Sequence, residues 1–360
     1  MQFELDEDRA LLKSSTRELL EKEAPVTTTR PIMETSPEGF SRSLYAQLAE
    51  LGYLGLLLDD AAGGSGMGPI GLAAVLHEMG RVALPGPYLE LVLSIETLRM
   101  AGGDVAQRWL RDAIAGEKIV LPAARESLSG VEPATLATRF EGGRVRGLKT
   151  FVAHGAAADG LIVTTAQGFV LVERPASGWS ATPLETLDHA QRFVEIALDA
   201  PGTLLADGQK ACEIAGAVGR LAAFGAAAFL LGLEERCLEL TVDYLQERKA
   251  FGVPIGSFQA LQHRAADMLL RVESSRATVY RAAWALEQDP GQAPLLVAAA
   301  KAYCADSARL VCGETIQLFG GVGYTWEYDP HIYFKRVKTL EQLHGSSREQ
   351  LEQALRAVGV

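Results

Sequence analysis

The sequence predicts a mainly α-helical chain interrupted by a β-rich middle, and three observations carry that prediction. Apolar residues recur at helical spacing from Asp6 to about Arg111, and again from Gly208 onward. Between Lys118 and about Leu205 the pattern changes to short β-type runs separated by glycine-containing turns. After Gly208, three long helical stretches follow one another through short connections, as in an antiparallel bundle. The expected organisation is an N-terminal helical domain (1–116), a middle β-domain (117–206) and a C-terminal antiparallel helical bundle (207–360).

In the first part, Asp6 is the expected N-cap of a helix carrying Leu11, Leu12, Leu19 and Leu20. A second helix is expected from Ser41 to Leu51, closed by Gly52. The glycines of Ala61 to Gly68 form a loop ahead of a helix from Pro69 to about Gly80; their spacing is not G-x-G-x-x-G and no βαβ pattern surrounds them, which argues against a dinucleotide fold.

In the middle part, Ile119–Leu121, Ala134–Phe140, Arg144–Leu148, Leu161–Thr165, Phe169–Val172 and Phe193–Leu198 read as strands. Gly142-Gly143 and Gln167-Gly168 read as turns between them, giving a small sandwich or barrel. The expected bundle helices run from about Ala211 to Arg248, Phe258 to Gln288 and Pro294 to Phe319, with a short closing helix from near Ser347.

The first bundle helix ends at Arg248-Lys249-Ala250-Phe251-Gly252-Val253-Pro254-Ile255-Gly256-Ser257-Phe258-Gln259, a turn that breaks the helical pattern on both sides. An arginine beside aromatic rings suits a planar, phosphate-bearing ligand, because a guanidinium forks onto phosphate oxygens. The plain alternative is a helix hairpin capped by Gly and Pro.

Composition removes several classes of function. With 48% hydrophobic and 22% charged residues the chain is globular, and a net charge of −11 without a basic run argues against nucleic-acid binding. Cys212, Cys237, Cys304 and Cys312 form no C-x-x-C pair and the six histidines no H-x-x-x-H pair, so neither a metal nor a redox dithiol is expected. The acidic start, Met1 to Asp6, lacks a secretory pattern, and the longest apolar stretch, Leu221 to Leu233, is too short to span a bilayer. A cytoplasmic protein without a membrane span is expected.

The pattern R-x-x-F-G-x-x-I-x-x-F-Q over Arg248 to Gln259 resembles a signature of the flavin-dependent acyl-CoA dehydrogenase family. Gln317-Leu318-Phe319-Gly320-Gly321-Val322-Gly323-Tyr324 resembles that family's Q-x-x-G-G-x-G-[YF]. The order helices, β-domain, bundle is also the family's. The resemblance implies FAD at a subunit interface, with Arg248, Phe251, Gln317, Gly320 and Gly321 reaching to the flavin nucleotide of a neighbouring subunit. Glycines suit that place, since only a residue without Cβ lets the backbone approach a pyrophosphate closely. It further implies removal of an acyl-CoA α-proton by a carboxylate base, β-hydride transfer to the flavin, and an electron-transfer flavoprotein or similar acceptor.

Other parts depart from the family pattern. Ala124 to Val131 lacks the family's T-x-P-x-x-G-S-D-like loop. In Lys149-Thr150-Phe151-Val152-Ala153-His154, Phe151 stands for the flavin-covering tryptophan, and Ala153 replaces a hydroxyl residue, so it cannot donate a side-chain hydrogen bond. His344 occupies the usual base position and Ala222 the alternative one; Glu341 is a turn away from His344, and Glu327, Asp329 and His331 form a polar, loop-anchoring cluster.

Retained nucleotide contacts beside a missing base resemble the non-base-carrying subunits of heteromeric dehydrogenases that act on bulky, steroid-derived CoA thioesters, as does the tail Trp326 to Arg336. That likeness implies a homologous partner subunit that supplies the base. Two rival readings stand beside it: a homomeric flavoenzyme, even a monooxygenase, using imidazole at His344 or an unrecognised acid, and a catalytically silent scaffold.

Overall fold

A computed structural model of the chain describes residues 5–127, 135–174 and 177–359, and these form eleven α-helices around a sheet-rich middle. The chain resolves into two compact units, each drawn from separated stretches. One comprises the residues up to Thr29, Gly68–Leu84 and everything from Ala223; the other comprises Arg30–Met67 and Pro85–Ala222.

Helix α1 (Glu7–Glu23) starts where expected, with the Asp6 carboxylate accepting from Arg9 N at 2.9 Å. It is followed by α2 (Val26–Thr35) and by α3 (Arg42–Glu50), which Ser41 caps and Gly52, at φ 80°, closes. The glycine loop before α4 (Gly68–Arg81) folds onto its own chain: a Cβ on Gly64 would meet Leu58 O at 2.2 Å. Packing explains that glycine without any ligand. Helices α5 (Tyr88–Ala101) and α6 (Gly103–Ile114) complete the first helical stretch.

The strands are β1 (Val120–Ala123), β2 (Arg139–Glu141), β3 (Arg144–Ala153), β4 (Gly160–Thr164), β5 (Gly168–Glu173), β6 (Trp179–Leu184), β7 (Phe193–Pro201) and β8 (Thr203–Asp207). They make two four-stranded sheets, ordered β1-β4-β5-β8 and β2-β3-β7-β6. Gly142 and Gly143, at φ 57° and 75°, make the predicted β2–β3 hairpin turn. The strand expected over Ala134–Phe140 is shorter. Residue 134 lies outside the described residues, and the N–H groups of Ala137 and Thr138 go to the Glu126 carboxylate at 2.6 and 2.9 Å instead of to a neighbouring strand. Strands β6 and β8 carry too few β-branched residues to have been read from sequence.

Helix α7 (Gly208–Glu247) is followed by a two-stranded hairpin, β9 (Lys249–Ala250) and β10 (Val253–Pro254), then by α8 (Gln259–Gln288) and α9 (Ala293–Phe319). Their bounds fall within about three residues of expectation. By length and composition α7 could cross a membrane, contrary to the sequence reading, but most of its apolar window is buried in the protein, as in a core helix. Helix α10 (Pro330–Gln342) is an additional element, beyond the three long helices and the closing helix expected of the bundle. Asp329 followed by Pro330 at the first turn marks its start. The closing helix α11 (Ser347–Ala357) has a full capping box between Ser346 and Glu349.

In the bundle unit, α4 crosses α7 where Gly80 and Gly232 face each other. A Cβ on Gly232 would stand 2.0 Å from His77 O, and one on Gly80 would stand 2.2 Å from Phe229 O. Charged residues line this crossing. Glu235 accepts from His77 at 2.7 Å, from Arg81 at 2.8 Å and from Arg276 at 2.6 Å, while buried Glu78 pairs with Arg17 at 2.9 Å. Burial works against the ionised form, but His77 and Arg276 outweigh it and hold the Glu235 carboxyl far below the usual range.

Candidate functional site

Tyr244 and Phe319 bring the two signature segments to one end of the bundle. Their rings stack at 4.2 Å and 11°, with Tyr328 edge-on to both. Tyr244 lies one turn before Arg248, whose N–H donates to Tyr244 O at 2.9 Å; Phe319 immediately precedes Gly320. The stack therefore sets the end of α7 beside the end of α9. Sequence reasoning missed both rings, although each stands within or one turn from a motif.

Arg248 is exposed and makes no ion pair among the described residues. Its carbonyl accepts from Ile255 N at 2.8 Å, which closes the β9–β10 hairpin. At the tip, Phe251 adopts φ 53° and is 95% exposed, with Phe258 edge-on at 6.2 Å. A bulky residue in left-handed backbone is strained, and an aromatic ring in water gains nothing from burial. Gly256 is packed: a Cβ there would approach Leu245 O at 2.9 Å.

On the facing side, Gln317, Gly320 and Gly321 are exposed. Gly320 has φ 65°, and no atom lies within 4 Å of a Cβ placed on Gly320 or Gly321. Gly323 differs, since a Cβ there would strike Ile316 O at 2.4 Å. The third glycine of the block serves the fold, whereas the first two leave backbone open to a visitor. An unengaged guanidinium, two bare glycine peptides and an exposed ring fit a phosphate-bearing, planar group.

The strand segment from Lys149 to His154 is irregular. The β3–β7 register shifts between Lys149 and Val152, and inside that bulge Phe151 sits at φ 50°, edge-on to Phe193 at 6.0 Å. Buried Lys149 donates to Ala124 O at 3.0 Å and to Glu126 at 2.8 Å. Burial works against ionised Glu126, but Lys149, Thr138 and Ala137 outweigh it and hold the carboxyl down to about 2. Buried Ala153 offers no hydroxyl, so this strand fits an isoalloxazine less well than the bundle edge fits a nucleotide. Residues 128–131 of the compared loop lie outside the described residues.

His344 adopts φ 60° and is followed by Gly345 at φ 95°. Buried Lys301 donates to Gly345 O at 2.9 Å and Gln350 donates to His344 O at 2.9 Å, so this short loop is held from two sides. Glu341, on the last turn of α10, is paired with Lys338, and Arg309 stands 3.9 Å from it. Ala222 is a buried residue of α7. His331 is the base of a stack under Trp326 (4.7 Å, 12°), with Lys335 Nζ at 4.5 Å from that ring. It anchors the start of α10.

The family model described as the N-terminal domain of acyl-CoA dehydrogenase matches residues 6–117, and the one for the C-terminal domain matches residues 217–359. The chain is 32% identical to the acyl-CoA dehydrogenase IpdE2 of Mycolicibacterium smegmatis, over 96% of this chain and 97% of that protein. In a crystal structure of the ChsE4-ChsE5 complex from Mycobacterium tuberculosis, one chain is 28% identical, with a TM-score of 0.87 and 99% of each chain covered. A structure of the Tcur3481-Tcur3483 steroid ACAD matches at 27% identity and TM-score 0.87, over 98% of each chain.

Proposed function

The chain belongs to the acyl-CoA dehydrogenase family, and from that premise we propose that it is the non-base-carrying subunit of a heteromeric, FAD-dependent dehydrogenase that desaturates a bulky, steroid-type acyl-CoA. Arg248, Phe251, Gln317, Gly320 and Gly321 hold the nucleotide of an FAD seated mainly in the partner. Bound FAD supplies the hydride acceptor; the partner's carboxylate takes the α-proton. Arg248 neutralises phosphate charge, and the two glycine peptides let that phosphate come close. An electron-transfer flavoprotein or similar carrier reoxidises the complex in the cytoplasm.

One observation carries this reading. The five nucleotide-edge residues lie on an exposed edge of the bundle, while position 344 holds a histidine and position 222 an alanine. The ChsE4-ChsE5 neighbour, a two-protein complex, supports the heteromeric form, and the Tcur3481-Tcur3483 steroid ACAD supports the bulky substrate. The division at 116/117 and 206/207 belongs to the same proposal.

Co-expression with a homologous acyl-CoA dehydrogenase chain, followed by an absorbance spectrum and subunit stoichiometry, tests it. We expect a colourless or flavin-poor chain by itself and a yellow complex of the two chains. Stoichiometric FAD on the partner-free chain overturns the proposal in favour of a homomeric flavoenzyme. A stable complex without flavin would make the chain a scaffold.

A further inference from the structure

Glu234 is fully buried on α7 and has no counter-ion. One carboxyl oxygen accepts from Ser307 on α9 at 2.5 Å; the other, Oε1, meets no hydrogen-bond donor. Ser275 on α8 flanks the carboxyl without a bond of good geometry. The nearby Arg276 guanidinium is spent on Glu235, at 2.6 Å, and on Glu273, at 3.3 Å. Glu235 adds like charge. Cys304 and Cys312, both buried on α9, stay neutral because burial lifts their thiols, that of Cys304 to about 12. Lys301, also on α9, donates to Gly345 O. Burial without a counter-ion disfavours the carboxylate relative to the acid in such a place.

Three rungs join α7 to α9 in the same order along both helices. They are Glu234 with Ser307, Thr241 with Thr315 at 3.0 Å, and the Tyr244–Phe319 stack. The last rung sets Arg248 beside Gln317, Gly320 and Gly321. The buried carboxyl and the nucleotide edge thus share one helix pair.

We propose that Glu234 is a neutral latch between α7 and α9, and that its ionisation on the alkaline side loosens the nucleotide edge and releases flavin reversibly. This inference rests on the reading above only for the flavin; the latch itself stands on the bundle. Burial pushes the Glu234 carboxyl up to about 8, against the opposing pull of Ser275, Ser307 and Arg276. The folded state then holds a proton that the unfolded state loses above the model value of 4.5. The stabilisation is complete below 4.5 and drains away as pH rises to about 8.

The first test compares the pH dependence of unfolding for the full chain and for Glu234→Gln, which keeps shape and hydrogen bonding without titrating. Between 4.5 and about 8 the wild-type unfolding constant should climb roughly tenfold per pH unit more steeply than that of the variant. Parallel profiles overturn the latch. Should Glu234→Gln misfold, difference infrared spectroscopy of the wild type decides: loss of a buried carboxylic-acid C=O band on alkaline titration supports the latch, and absence of that band at neutral pH overturns it. In the assembled complex, FAD retention should fall at alkaline pH for wild type and hold for Glu234→Gln. Equal loss in both, alongside divergent stability profiles, would retain the latch and refute its link to flavin. Flavin retention that ignores Arg248 altogether would instead strike at the functional reading.

Discussion

Arg248 is a cation with no ion pair among the described residues, at the end of a helix that needs no further cap. A charge-assisted bond to phosphate is worth about 1.5–3 kcal/mol, so Arg248→Ala should weaken FAD retention in the complex roughly tenfold or more. Dialysis followed by an absorbance ratio measures this, and unchanged occupancy with an intact fold would reduce the residue to a helix-end cation. His344 calls for a different substitution. Its φ of 60° penalises alanine, whereas asparagine tolerates left-handed backbone, so His344→Asn removes the imidazole while sparing the loop. Single-turnover flavin reduction should stay within a small factor of wild type at matched flavin content. A loss on the order of 10²–10⁴, the usual worth of a positioned base, would make this chain the catalytic subunit. Sequence motifs exposed Arg248 and the glycine block because the spacing of unusual residues survives without coordinates. They could not reveal Glu234. It stands next to Glu235 in the chain, but helical rotation sends one carboxylate to three donors and the other to a lone hydroxyl.

At the scale of elements, long periodic helices were legible because burial of one face repeats over many turns. Some short elements were not. The strand expected to run to Phe140 lost most of its length to a single carboxylate, and α10 was hidden behind residues that look like a polar loop. Glycines inside α7 show how little composition says by itself. Gly219 has no atom within 4 Å of a Cβ, whereas a Cβ on Gly232 would stand against the α4 backbone. Gly219→Ala should stabilise the chain by up to about 1 kcal/mol through helix propensity. Gly232→Ala gains the same propensity but overpacks a backbone contact that no rotamer relieves, and should cost about 1–3 kcal/mol net. Denaturant midpoints at constant m-value separate the two, and equal midpoints would show that α4 yields to a methyl group at Gly232.

For the whole molecule, the sequence yields three consecutive stretches, while the compact units are interleaved. No local pattern announces that interleaving, because it depends on contacts between residues far apart in the chain. Arg9 pairs with Glu287, Arg81 bonds Glu239 at 2.6 Å, and Tyr333 donates to Arg81 O at 3.0 Å. Those partnerships set a schedule for the newborn chain. Helices α1 and α4 leave the ribosome early, yet their partners on α7, α8 and α10 follow only after the whole of Pro85–Ala222 has been translated. At about 5–20 residues per second that wait lasts on the order of ten seconds. Throughout it Leu72, Val75, Leu76 and Met79, all fully buried in the finished protein, have only the earlier α1 to pack against. An emerging helix with that face is the kind of surface a chaperone binds, and Arg81 beside it keeps the waiting segment hydrated until Glu235 and Glu239 arrive.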